Sequence, residues 1–158
     1  AELIQQIRTH GKQLIDYFNL KERERMTTSL FKSGQLKGLP QILRKNFNCE
    51  LKVPFGYQLV QQEPDFLWVR QINPKDDKDI FIARKKYTSQ AQFERDSLIS
   101  FRDKVCQKYL FEDPERLDTY LVTETTVPFI PVITREANFN KKFAVEMKGL
   151  WKTNTLTM

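Results

Sequence analysis

An α+β fold, built as an antiparallel meander with helices packed on one face, is the class this sequence predicts. Three observations carry that prediction. Apolar residues recur at helical spacing near the N-terminus, the run Phe66-Leu67-Trp68-Val69 is apolar on both faces, and Ser89 with Gln92 marks a second helix start between two groups of strand-like segments. Strands in runs, with helices gathered to one side, define α+β rather than alternating βαβ units.

The first segment predicts a helix. Leu3, Ile7, Leu14 and Phe18, flanked by Ile4 and Ile15, recur at steps of about four and lay an apolar stripe along one face. Gly11 interrupts the stripe, at about 1 kcal/mol relative to Ala. Extending it to Met26 and Leu30 puts Glu22 in its middle and Arg25 at its edge. The helix therefore leaves the core at Glu22-Arg23-Glu24-Arg25 or bends there. These four residues are the candidate interaction surface, and the blander reading of them is a solvated, overhanging helix. Ser33-Gly34 ends the helical region, and Pro40 after Gly38 suits the first turn of a short helix through Ile42 and Leu43 to Phe47.

The chain then becomes extended. Leu51-Lys52-Val53 predicts a strand ended by Pro54, Gly56 a turn or bulge, and Tyr57-Gln58-Leu59-Val60 a resumed strand, with 61–65 a loop around Pro64. The segment 66–72 is the strongest strand; its two apolar faces make it central, with a helix over one of them. A polar turn at 73–78 leads to Ile80-Phe81-Ile82-Ala83 returning antiparallel.

The Ser89/Gln92 capping box opens a long helix with Phe93, Leu98, Phe101, Val105 and Tyr109 on its apolar side. Arg95, Asp96, Arg102 and Asp103 face out, and Asp113-Pro114 closes it. Tyr120-Leu121-Val122 is a strand. The run 127–133 is an edge or irregular strand, because Pro128 and Pro131 cannot donate to a ladder. In 142–151, Phe143, Val145 and Met147 alternate with Glu146 and Lys148, as in a half-buried strand, and 152–155 is a polar turn with nothing after it to pair. The organisation expected is one domain, a helical segment over about 1–47 and a sheet with a long helix over about 50–158. A chain that opens inside a helix without an initiator Met reads as a fragment, truncated at both ends.

Composition narrows the function classes. The chain has 158 residues with twelve Phe, five Tyr and two Trp, enough for an aromatic-centred core. The formal charge is +6, from 26 basic and 20 acidic side chains, but the signs are interspersed and only Arg84-Lys85-Lys86 puts three basic residues together. Followed by Tyr87, that triplet is the closest approach to a basic, aromatic nucleic-acid surface, and it matches no RRM signature. No nucleic-acid partner is expected. Apolar runs fall far short of the roughly 20 residues that span a bilayer, and Ala1-Glu2-Leu3-Ile4 lacks the basic start of a signal peptide. Cys49 and Cys106 read as separate buried thiols, with a single disulfide left open for an oxidising compartment.

Reactive constellations are missing from the sequence. His10 is the only histidine and neither Cys lies near it, which argues against a metal site. There is no GxSxG elbow and no phosphate-cradling glycine loop, so no cofactor is expected. Asp76, Asp77 and Asp79 lie in a Lys-rich turn, Glu22 and Glu24 point to different helix faces, and Glu124 and Glu136 flank the proline-containing segment with nothing to select them as an acid/base pair. The reading is more non-catalytic than catalytic.

Five segments in register carry a resemblance. They are Asp16-Tyr17-Phe18-Asn19 followed by Glu22-Arg23-Glu24-Arg25, then Val53-Pro54-Phe55-Gly56-Tyr57, Asp65-Phe66-Leu67-Trp68-Val69-Arg70, and Gly149-Leu150-Trp151. Together the chain resembles the Bacteroidota lipoproteins grouped as domain of unknown function 4837; where it has Lys86-Tyr87, the family pattern has Pro-Tyr. The resemblance implies an N-terminal lipoprotein signal and first domain that this chain lacks, and a continuation in which Met158 opens a Gly-Gly-Pro-Phe segment. It implies a cell-envelope location, at the outer membrane facing the periplasm or the surface, with membrane attachment only through that N-terminal lipid anchor. It supplies no catalytic residue. The function expected is interaction or assembly with another envelope protein; the alternatives are carbohydrate or peptidoglycan binding or hydrolysis, using aromatics such as Tyr57 or Trp68, and, weakest, nucleic-acid binding.

Overall fold

The computed structural model describes residues 2–113 and 115–155, with the side chains of 2–3, 112–113 and 117 left aside. Its elements are α1 (Glu2–Leu30), α2 (Leu39–Phe47), β1 (Gln58–Gln62), β2 (Phe66–Gln71), β3 (Lys78–Ala83), α3 (Arg95–Tyr109), β4 (Phe111–Asp113), β5 (Arg116–Thr123), β6 (Ile133–Phe139), β7 (Lys142–Lys148) and β8 (Trp151–Thr153). This is an α+β chain with antiparallel sheets. It divides into two compact units, Ala1–Lys85 and Lys86–Met158.

In the first unit, β2 is the centre of a β1-β2-β3 meander, as its two apolar faces predict. Leu67 and Val69 point to one side and pack with Leu39 and Leu43 of α2 and with Val53, all five at most 2% exposed. Alternate residues of a strand share a face, so Phe66 and Trp68 point the other way. There Trp68 lies opposite Phe81 of β3, with ring centroids 5.4 Å apart. On β3, Asp79 accepts from Trp68 Nε1 at 2.6 Å and from Arg70 Nε at 2.8 Å, and the Arg70 guanidinium sits 4.7 Å from the Trp68 ring. Helix α2 starts from Gly38 at φ 81 with Pro40 in its first turn, and stops at Asn48 in the left-handed region, φ 50, a conformation Asn tolerates.

Two expectations fail here. The 51–53 segment forms no strand; only Pro54 makes an isolated bridge, to Gln35. Proline cannot donate and Val53 is already committed to the α2 core, so no ladder propagates. Conversely β1 runs on to Gln62, through a bulge between Leu59 and Gln61.

In the second unit, α3 lies against the β4-β5-β8 sheet, and β6-β7 forms a separate hairpin. The capping residues act one turn early: Gln92 Oε1 accepts from the Thr88 N–H at 2.7 Å and closes a 3-10 turn, Gln90–Phe93, while α3 begins only at Arg95. Phe93 is therefore off the helix. The helix also ends before the predicted Asp113-Pro114, at Tyr109; Pro114 lies outside the described residues, as does Met158. Arg102 and Asp103 do not face out. Asp103 Oδ1 accepts from the Thr123 N–H at 2.9 Å and Oγ1 at 2.7 Å, and Arg102 donates to the same hydroxyl.

The C-terminal strands shift most. Residues 127–132 form no strand; the ladder starts at Ile133, just past both prolines, and runs to a tight turn in which Asn140 and Lys141 have φ of 51 and 63. Two successive positive φ values match the right-handed twist of hairpin strands. The predicted strand 142–151 is broken after Lys148, where a Cβ on Gly149 would come 3.1 Å from Val132. Trp151, expected to end that strand, and Lys152 and Thr153, expected in a polar turn, form β8, antiparallel to β5, and Asn154 fastens it: its Oδ1 accepts from the Tyr120 N–H at 2.9 Å and its Nδ2 donates to the Asp118 carbonyl at 2.8 Å.

Candidate functional site

The N-terminal helix is the most unusual surface of the chain. Sequence reasoning places its stripe in a core as far as Phe18, with a departure or bend at 22–25. The structure corrects both points. α1 continues as one helix from Glu2 to Leu30, and Ile4, Ile7, Leu14, Ile15 and Phe18 are all exposed, Phe18 at 67%. Tyr17, Leu20, Met26 and Leu30 are exposed as well. The helix forms because its residues favour it: i,i+3 pairs support the polar face, with Lys21 Nζ 2.9 Å from Glu24 and Arg25 gripping Glu22 through both Nε and Nη2, at 2.8 and 2.5 Å. Arg25 holds the Glu22 carboxyl below its ordinary range.

The predicted four-residue surface is thus continuous, exposed and largely self-paired. Glu22, Glu24 and Arg25 are engaged within the helix, and among the described residues Arg23 has no ion-pair partner. The apolar residues before this collar, which pattern alone assigns to the core, are the larger part of the surface. The signal that could have found them is the polarity of the helix as a whole, in which charged and polar residues outnumber apolar ones.

A second feature lies within the second unit. A cleft of about 500 Å³ opens beside the hairpin, with Phe93 and Phe143 meeting edge to face at 5.3 Å on its wall. Glu94, Arg95, Arg135 and Glu136 also line it. Arg135 is paired with Glu146 across the hairpin, which lowers the Glu146 carboxyl, first through that hydrogen bond and then through the one from Lys148. Among the described residues, Glu94, Arg95 and Glu136 have no ion-pair partner. Tyr57 and Trp68, the aromatics named for the carbohydrate-binding alternative, are half-buried, and Trp68 is held by Asp79 and Arg70.

Glu124 and Glu136 serve separate surroundings. Glu124 is 3% exposed, with Oε2 2.8 Å from Lys152 Nζ and Oε1 accepting from the Thr126 N–H and hydroxyl at 2.5 Å. Lys152, followed by Thr126, lowers its carboxyl to about 2, so it stays ionised as a brace between the β5 and β8 ends. A carboxylate so fully engaged makes a poor proton shuttle. His10 is exposed, with Nδ1 3.2 Å from Gln13. Both thiols are free; Cys106 is buried and its thiol raised by desolvation, whereas Cys49 is exposed, contrary to expectation. Among the described residues no three His, Cys, Asp or Glu gather to hold a metal ion, and no helix is long and apolar enough to cross a membrane.

Residues 38–158 match the family described as Domain of unknown function (DUF4837). The match takes in well over half of the chain. The chain belongs to the DUF4837 family. No curated protein and no solved structure matches it. The matched DUF4837 region starts at the turn into α2 and includes the meander, the α3 unit and the cleft. Helix α1, with the candidate residues 22–25, precedes it.

Proposed function

We propose that this DUF4837 chain is a non-catalytic domain of a cell-envelope lipoprotein, working at the outer membrane by docking another protein on α1. One observation carries the reading: a 29-residue helix whose apolar stripe, Ile4, Ile7, Leu14 and Phe18, is exposed next to a collar of ordered charge. Isolated exposed apolar residues are ordinary, but a continuous helical row of them is the mark of an interaction site. The envelope, lipoprotein and Bacteroidota parts of the reading rest on the resemblance carried by the five family-like segments, three of which lie in the matched region. Glu124 spent on Lys152, and His10 exposed and far from reactive partners in sequence, favour binding over catalysis.

The test is recovery of partners from native membranes with tagged wild type, Phe18→Ser and Arg23→Glu. Arg23 is the cleaner probe of the collar, because reversing Arg25 also breaks its grip on Glu22. Loss of specific partners with Phe18→Ser supports the reading; identical recovery with all three refutes it.

The cleft favours a second reading, carbohydrate or peptidoglycan binding. Its Phe93–Phe143 wall offers an apolar platform, and Glu94, Arg95 and Glu136 offer polar contacts. Titration with muropeptides, compared with Phe143→Ala, decides it; no heat or spectral change at millimolar ligand removes it.

A further inference from the structure

We infer that the pocket between residues 33–37 and 55–58, in the first unit, binds a saccharide that carries a carboxylate. It is a separate site from α1 and from the cleft of the second unit.

The pocket is held by the fold itself. Two segments are stapled side by side: the Leu36 N–H donates to the Val53 carbonyl at 2.9 Å, the Phe55 N–H donates to the Gly34 carbonyl at 3.1 Å, and Gln35 bridges Pro54 between them. Leu36 and Tyr57 line the pocket and also pack against the α2–β2 core, so part of the wall is fixed by the core. Gly34 and Gly56 turn the chain at its edges with φ of 94 and 100, a conformation that other residues rarely adopt. At Gly56 a Cβ would also come 3.0 Å from Gln71 Nε2. The space is about 760 Å³, inside the range of about 300–1,000 Å³ typical of small-molecule sites.

The lining selects the ligand class. Phe55 is 67% exposed beside the glycine turn, an uncovered aromatic ring, and Tyr57 adds a second ring that ends in a hydroxyl. Such rings take the apolar C–H face of a sugar. Ser33, Gln35 and Gln58 add neutral groups that both donate and accept, as sugar hydroxyls do. Among the described residues, none of these polar side chains has a hydrogen-bond partner within the chain.

Charge narrows the class further. Lys37 is the one full charge in the lining, with no carboxylate beside it there and no ion-pair partner among the described residues. An ammonium in an otherwise neutral lining favours a ligand with a negative charge and works against a cation. The cleft of the second unit differs on this point, since two Glu and two Arg line it. A purely hydrophobic acid would use the rings and Lys37 but not the amides and hydroxyls. A neutral sugar would use everything except Lys37. A sugar acid uses both sets.

Titration of the whole isotope-labelled chain with glucuronic acid, glucose and acetate, read by amide chemical shifts, tests the assignment. Glucuronic acid moves the amides of 33–37 and 55–58 saturably, and glucose binds there about threefold more weakly, the worth of one exposed ion pair. Acetate, which has no ring to stack, gives no saturable shift. Lys37→Gln brings glucuronic acid down to the level of glucose, and Phe55→Ala weakens both sugars. Both side chains are exposed, so each variant keeps the wild-type melting temperature. No saturable shift at 33–37 and 55–58 up to about 50 mM glucuronic acid overturns the assignment. So does an acetate shift as strong as that of glucuronic acid, or an acid preference that survives Lys37→Gln. If Phe143→Ala abolishes the binding and Phe55→Ala does not, the sugar sits in the cleft: this assignment falls and the carbohydrate reading of the cleft stands.

Discussion

Helices α1 and α2 are both amphipathic in sequence, and their fates are opposite. Leu39 and Leu43 of α2 are 2% and 0% exposed against β2, whereas Ile4, Ile7, Leu14 and Phe18 of α1 are each at least 45% exposed. Period alone identifies a face; it does not say what covers it. The difference lies in the apolar surface available to each helix. Behind α2, Val53 and the Leu67-Val69 face of the central strand close a core over a short stretch of helix. α1 has a stripe more than twice as long, and its apolar residues stay exposed.

The comparison breaks most readily at α2. Leu43→Ala removes a fully buried side chain between two strand residues and costs about 2–5 kcal/mol by chemical denaturation; a loss below about 1 kcal/mol would mean that α2 does not anchor the meander. The next effect lies in the second unit. Glu124→Gln removes the carboxylate that faces Lys152 and lowers the melting temperature at pH 7 by several degrees. The sign comes from the carboxyl being held at about 2, below its ordinary 4.5. Its stabilisation is whole above pH 4.5 and is lost as pH falls toward 2, so the difference between wild type and Glu124→Gln shrinks on acidification. A constant difference from about pH 7 to about pH 2.5 would assign the effect to packing.

The α1 side of the comparison predicts small stability effects. Gly11→Ala raises the helix signal and stabilises α1 by about 0.5–1 kcal/mol, since the site is open and the backbone already helical. Phe18→Ser, which would be severe in α2, changes the stability of the monomer by less than about 0.5 kcal/mol in equilibrium unfolding at low chain concentration. Smallest is Arg23→Glu, an exposed side chain whose reversal leaves the melting curve where it was. A large loss at Phe18 would show that α1 has a core partner after all.

Local chemistry is legible where one residue type has one use. The central strand, its antiparallel return at Ile80, the short helix entered at Gly38 and Pro40, and the helical N-terminus all come from pattern and turn residues. The misplaced boundaries have specific causes. The Ser89/Gln92 box is satisfied by a 3-10 turn as well as by an α-helix, and the 127–133 run is apolar but holds two prolines, so its ladder waits until Ile133. β6, with Arg135, Glu136 and Asn138, is a strand through its pairing with β7. The collar at 22–25 is visible as a break in a stripe, but the exposure of the stripe itself is not.

Sequence by itself determined the α+β class and the central position of 66–71, because these depend on periods and on both-face hydrophobicity. Tertiary structure alone decided which apolar face is covered, that Glu124 is locked to Lys152 from a neighbouring strand end, and that 151–153 pairs with β5. Those facts depend on contacts between segments far apart in the chain. A linear pattern carries no term for them, since burial belongs to the partner as much as to the residue.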